Sequence, residues 1–178
     1  MHGGCWQPGS EKSKASGRER WRDGSLLNWM NIDISTGQTA RADSLYSDGR
    51  TEPYKAVDGD TRQNHPNQYH GKEFSGCDNF FEHAWWGVKL KFPASSFTIK
   101  IYARDGYTNQ GSEEMEVLVS NSWPPEWSKW ADFSGSTTTC DTVKGLTPNA
   151  IVETTCQMSQ SYNYIILRPR KCSTRQDQ

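Results

Sequence analysis

An all-β sandwich or barrel is the fold class that this sequence predicts, on three observations. Apolar and polar residues alternate in short runs. Turn residues recur about every ten positions. No stretch carries three turns of amphipathic helix.

Residues 1–27 read as a flexible polar and basic tail. Gly, Ser, Lys, Arg and Glu dominate there with little periodicity, and Trp6 and Trp21 are the exceptions. The folded domain is expected over 28–173, with 174–178 as a C-terminal tail. Asn31-Ile32-Asp33-Ile34 alternates and Ser35-Thr36-Gly37-Gln38 turns. Ser47-Asp48-Gly49-Arg50 and Asp58-Gly59-Asp60 are further turns. A loop at 62–84 follows. It holds His65, His70 and His83, three of the four histidines, and Cys77. The histidine spacings fit no common metal motif.

Trp85-Trp86 opens the next strand, where the pair could be an exposed stacking platform but one of the two rings is expected in the core. Val88, Leu90 and Phe92 face one way and Lys89 and Lys91 the other, which predicts a half-buried strand ended by Pro93. Ile99, Ile101 and Ala103 predict a second strand. Met115, Val117 and Val119 predict a third, stopped by Asn121-Ser122 and Pro124-Pro125. Residues 150–156 predict a fourth. Tyr164-Ile165-Ile166-Leu167 is a buried strand that Pro169 should end. Trp123, Trp127 and Trp130 surround Pro124-Pro125 as an aromatic loop. It reads as a packed lid in preference to an exposed contact patch.

Composition narrows the function classes. The chain has 178 residues, eight tryptophans and a formal charge of −1. That suits one domain with a tail, and its aromatic content is that of a folding chain. No apolar run is long enough for a membrane span. Residues 1–22 carry five Lys/Arg against two Glu, and 168–178 carry four against one Asp, so the middle is net acidic. That argues against a nucleic-acid groove and is compatible with a bound cation. No Ser-His-Asp order, paired carboxylate motif, phosphate loop or metal-ligand cluster stands out, so no catalysis is expected.

The five cysteines show no zinc-ribbon spacing and read as disulfides of an oxidising, secreted or extracellular compartment. Met1-His2-Gly3-Gly4 has no apolar leader core, and no Asn-x-Ser/Thr site occurs. Cys140 and Cys156, 16 apart, are placed to staple neighbouring strands. Pairing Cys77 with Cys172 would tie the central loop to the last strand. Cys5 is left over, either free or bonded to another chain.

Five motifs together resemble the F-type lectins (fucolectins). They are Asn31-Ile-Asp-Ile-Ser-Thr-Gly-Gln, Ala56-Val-Asp-Gly-Asp-Thr, Trp85-Trp-Gly-Val-Lys-Leu, Phe97-Thr-Ile-Lys-Ile-Tyr-Ala-Arg-Asp and Glu116-Val-Leu-Val-Ser-Asn-Ser. The closing Cys140, Cys156 and Tyr164-Ile-Ile-Leu fit as well. The resemblance covers about 28–172, with discoidin and coagulation-factor C-type domains as wider relatives. It implies an eight-stranded antiparallel jelly-roll sandwich with binding loops at one end.

The resemblance also implies a structural calcium ion and a fucose or other glycan site. For calcium it points to the Asp58 carboxylate, the carbonyls of Lys55 and Asp60, and the positions of Ser75, Gly76 and Cys172. Oxygen donors from a tight turn suit a hard cation. For the sugar it points to Arg104, oriented by Asp105. Asn79 stands where the family has its histidine, and His83 is a substitute. The family's vicinal cysteine pair is replaced around Gly106-Tyr107-Thr108-Asn109, and Tyr107 or Phe80 is left to offer an apolar surface. The expected partner is therefore a glycan or glycoprotein. The alternative is a protein-interaction or adhesion module, or a subunit of a larger assembly joined through the N-terminal tail.

Overall fold

The computed structural model describes residues 35–44, 52–63, 69, 82–103, 114–144, 147 and 149–171. The chain divides into two units, Met1–Ile32 and Asp33–Gln178, and all described residues lie in the second.

Five strands form one antiparallel sheet in the order β1-β2-β5-β3-β4. They are β1 (Ala40–Ala42), β2 (Trp86–Tyr102), β3 (Glu114–Ser120), β4 (Thr137–Lys144) and β5 (Ile151–Lys171). The fold is all-β, as the alternation predicts. Five strands are found among the described residues, against the eight that the resemblance implies. Part of the difference is that β2 and β5 each run through two layers.

The folding over follows from reach. A straight strand of 17 residues would hold Trp86 and Tyr102 roughly 55 Å apart. Yet the Trp86 indole donates to the Pro53 carbonyl at 2.9 Å, and Gln63 donates to the carbonyl of Ala103. The chain from 53 to 63 begins with a 3-10 helix, Pro53–Val57, and spans at most about 30 Å. The two ends of β2 are therefore closer together than a straight strand allows, and β2 is bent.

The bend is in the register. Lys89 pairs with Tyr164 but Ala94 pairs with Tyr162, and a second shift separates Ala94 from Ser96. Pro93, expected to end the strand, sits inside this bulge. A missing N–H costs nothing where no ladder bond is made, so β2 continues past it. Phe92, expected to face the core, is thrown outward and is 57% exposed. Pro169 likewise lies within β5, paired with Met115 next to a register shift.

The bent β2–β5 ribbon brackets the core. Val88, Leu90, Val117 and Val143 meet Cys156, with Phe97, Ile99, Ile101 and Val152 packed against them. The outer face of the ribbon carries matched cross-strand pairs. The hydroxyls of Thr98 and Thr155 are 3.1 Å apart, and Lys100 is 3.9 Å from Glu153. The Cys140–Cys156 disulfide spans 5.5 Å between Cα atoms and ties β4 to the first half of β5. Cys140 occupies the β3–β4 register shift between Asp141 and Thr139. Thr154 donates to the Asp141 carboxylate, and the hydroxyls of Thr138 and Tyr162 are 3.1 Å apart along the same seam. The expected Cys77–Cys172 pair lies outside the described residues.

β3 is buried on both faces. Val117 joins the main core. Leu118 forms a second cluster with Trp85 and Ile166, covered by Trp123, Trp130 and Phe133. Both Trp85 and Trp86 are core, at 2% and 9% exposure.

Candidate functional site

Gly37, at φ +70°, donates its N–H to the Val57 carbonyl at 2.7 Å, and Val57 is buried in the main core. This anchors the start of the Asp58 turn. The Asp60 N–H donates to Asp58 Oδ1 at 2.8 Å, an Asx turn, and Gly59 supplies the left-handed residue at φ +86°. The Asp60 carboxylate is gripped by Arg62. Nε donates to both oxygens at 2.9 Å, and a terminal guanidinium nitrogen donates to Oδ2 at 2.5 Å. That bidentate bond, with the Arg62 backbone N–H at 3.0 Å, holds the Asp60 carboxyl down at about 2. Lys55 Nζ lies 3.8 Å from Asp58 Oδ2.

The turn thus brings together Lys55, Asp58 and Asp60 of the expected cation donors. Ser75, Gly76 and Cys172 lie outside the described residues. The Asp60 carboxylate is committed to Arg62, so its carbonyl is the oxygen left for a metal. With the Asp58 carboxylate and the Lys55 carbonyl it makes an all-oxygen set, fitting a hard cation in kind. Among the described residues, no group of three or more His, Cys, Asp or Glu side chains is placed to hold a metal ion.

Gln63 had no signal in the sequence, and it organises this end of the domain. Its side-chain amide donates to the carbonyls of Ala103 at 2.6 Å and Ala150 at 3.1 Å. Ala103 N–H also donates to the Ala150 carbonyl, at 2.9 Å. The point where the chain leaves the Asp58 turn is therefore stitched to the end of β2 and the start of β5. Arg104 is the next residue after Ala103. Arg104, Asp105, Tyr107 and Asn79 themselves lie outside the described residues.

His83 is the described member of the expected sugar ligands. It is half-buried, in a helical turn with Glu82 just before β2. It neighbours Asp43, which follows β1. Around Asp43 is a polar cluster that sequence reasoning missed. Ser44 Oγ donates to Asp43 Oδ2 at 2.9 Å, and the Tyr69 hydroxyl donates to the Ser44 carbonyl at 3.0 Å. The same hydroxyl is 3.5 Å from Asp43 Oδ1. Burial pushes the Asp43 carboxyl up, with the Ser44 hydroxyl and His83 partly offsetting it. Burial, and then the Asp43 charge, push the Tyr69 phenol up. The available signal was the Asp43-Ser44 pair at a strand end.

The aromatic loop is a packed cover. Trp123 stacks on Tyr164 at 4.7 Å, with the Arg41 guanidinium 4.5 Å from its ring. Trp130 packs with Phe133 at 5.4 Å, beneath the Arg168 guanidinium at 5.1 Å. The Trp85 indole donates to the Ser128 carbonyl at 2.9 Å, and the Trp127 N–H donates to the Ala42 carbonyl at 2.9 Å. The loop thereby closes over the second cluster and meets the end of β1.

No family model matches the chain, and no curated protein matches it. Solved structures do. A lectin domain of lectinolysin complexed with Lewis b antigen is 20% identical at a TM-score of 0.53, covering 80% of this chain and 89% of that one. A fucolectin from the serum of striped bass, Morone saxatilis, is 21% identical at a TM-score of 0.54. There the match covers 79% of this chain and 45% of the other. A fucose-binding module of Streptococcus pneumoniae is 18% identical at 0.51, over 80% and 87%.

Proposed function

We propose that this chain, which carries the F-type lectin/discoidin-like fold, is a non-catalytic carbohydrate-binding module. The observation that carries the reading is the Gln63–Ala103–Ala150 junction. It draws the chain leading into residues 64–81 and the chain leading into Arg104 to one point. A rigid sheet presenting loops at one end suits a binding site.

In this reading Arg104 donates to sugar hydroxyls, Asp105 orients its guanidinium, and Tyr107 offers an apolar face to the ring. Asn79 and His83 contribute from the 64–84 side. We place the module in an extracellular setting, which the Cys140–Cys156 disulfide favours. A calcium ion would be held by the Asp58 carboxylate and the carbonyls of Lys55 and Asp60, with Ser75, Gly76 and Cys172 completing the shell. When bound, it would supply a fixed positive charge that locks the loop.

A glycan array with wild type and Arg104→Ala, run in calcium and in chelator, tests this. Wild type should retain a defined glycan set. Arg104→Ala should weaken it roughly tenfold or more, as expected for a lost charged hydrogen bond. Millimolar calcium should raise the melting temperature. A blank array alongside capture of a specific protein from serum or matrix would favour the protein-interaction reading instead.

A further inference from the structure

Four of the five described tryptophans have an evident packing role. Trp85 and Trp86 are buried, Trp123 stacks on Tyr164, and Trp130 packs on Phe133. Trp127 differs in two respects. Its backbone is left-handed at φ 65°, and the residue is 48% exposed. A bulky residue in that conformation is a true outlier, since glycine or asparagine would take it at less cost. The turn geometry alone does not call for an indole there.

The backbone beneath the ring is pinned. Trp127 N–H bonds to the Ala42 carbonyl, and Ser128 donates to the Pro125 carbonyl through N at 3.2 Å and Oγ at 2.7 Å. Pro124 is fully buried. The ring is therefore presented on a rigid base, beside the end of β1. The next residues there are Asp43 and Ser44, which face Tyr69 and His83.

We propose that the Trp127 ring is a second contact platform, taking the apolar face of an additional sugar ring in an oligosaccharide. The exposed Glu126, its neighbour in sequence, supplies a hydroxyl-accepting carboxylate. A pyranose matches this chemistry, with one C–H face for the indole and a rim of hydroxyls for the carboxylate. The inference rests on the carbohydrate reading above and extends it from one sugar to at least two.

The test uses wild type, Trp127→Asn and Trp127→Phe. Asparagine keeps the left-handed backbone and removes the ring. After an array, calorimetry is run with the strongest-binding array oligosaccharide and with its terminal monosaccharide. Trp127→Asn should lose about tenfold in oligosaccharide affinity, keep monosaccharide affinity within about twofold, and melt no lower than wild type. Trp127→Phe should recover part of the loss. Equal oligosaccharide affinity in wild type and Trp127→Asn overturns the inference. So does a joint loss of melting temperature and of both ligands, which marks a structural ring. An array blank for wild type removes the carbohydrate reading, and this inference with it.

Discussion

Gly59 sits at φ +86° between two aspartates whose side chains close the turn around it. Any L side chain there is strained whatever the space, so Gly59→Ala should cost about 1–2 kcal/mol, read as a lower urea midpoint with an unchanged slope. The neighbouring Asp60 gives the turn a pH signature. Its folded pKa, about 2, lies below the ordinary 3.8 because Arg62 bonds the ionised form. Stability from this pair is present above about pH 4 and is lost as pH falls toward 2. Melting curves across that window should show Arg62→Ala losing less than wild type over the same fall. The Asx turn was legible because Asp-Gly-Asp is a local signal. The Gln63 clamp was not, since its acceptors lie 40 and 87 residues away and nothing near Gln63 specifies them.

At the scale of elements, the disulfide is the most separable contribution. It closes a loop of separation 16, so the Cys140→Ala/Cys156→Ala double variant should lose about 3 kcal/mol against the oxidised protein. Wild type with reductant should fall to a similar midpoint. An undiminished midpoint would mean that the hydroxyl seam beside it suffices. Strand identity was readable where apolar periodicity was strong, as in 86–90, 115–119 and 164–167. The two prolines misled, because a register shift removes the ladder bond that proline cannot make. β4 was missed for a different reason. Thr137-Thr138-Thr139-Cys140-Asp141-Thr142 has β-branched residues but no apolar alternation, and it is a strand because it lies at the sheet edge and needs little burial. Both tryptophans of the pair are core because β2 has a packed layer on each face, one supplied by a loop with no strand pattern to announce it.

Across the whole molecule, the sheet fixes where loops begin and end but not what they bind. The fold could be read from several weak motifs in order, because strands repeat a simple alternation. The ligand could not, because recognition depends on a few side chains brought together from distant segments. β5 is the element that joins everything: it pairs with β2 along both layers and with β3 on its other side. It is also the last strand among the described residues. During synthesis, β2 and β3 must emerge and wait, edges open and Val88, Leu90 and Val117 in water, until the residues up to about 171 have left the ribosome. Folding is therefore expected to be wholly late. Ribosome-held chains stopped at residue 150 should be digested by protease as readily as unfolded ones, and chains extended well past 171 should resist. Until β5 has emerged the open edges of β2 and β3 are sites for pairing with other chains, and a copy truncated before β5 is a template for aggregation.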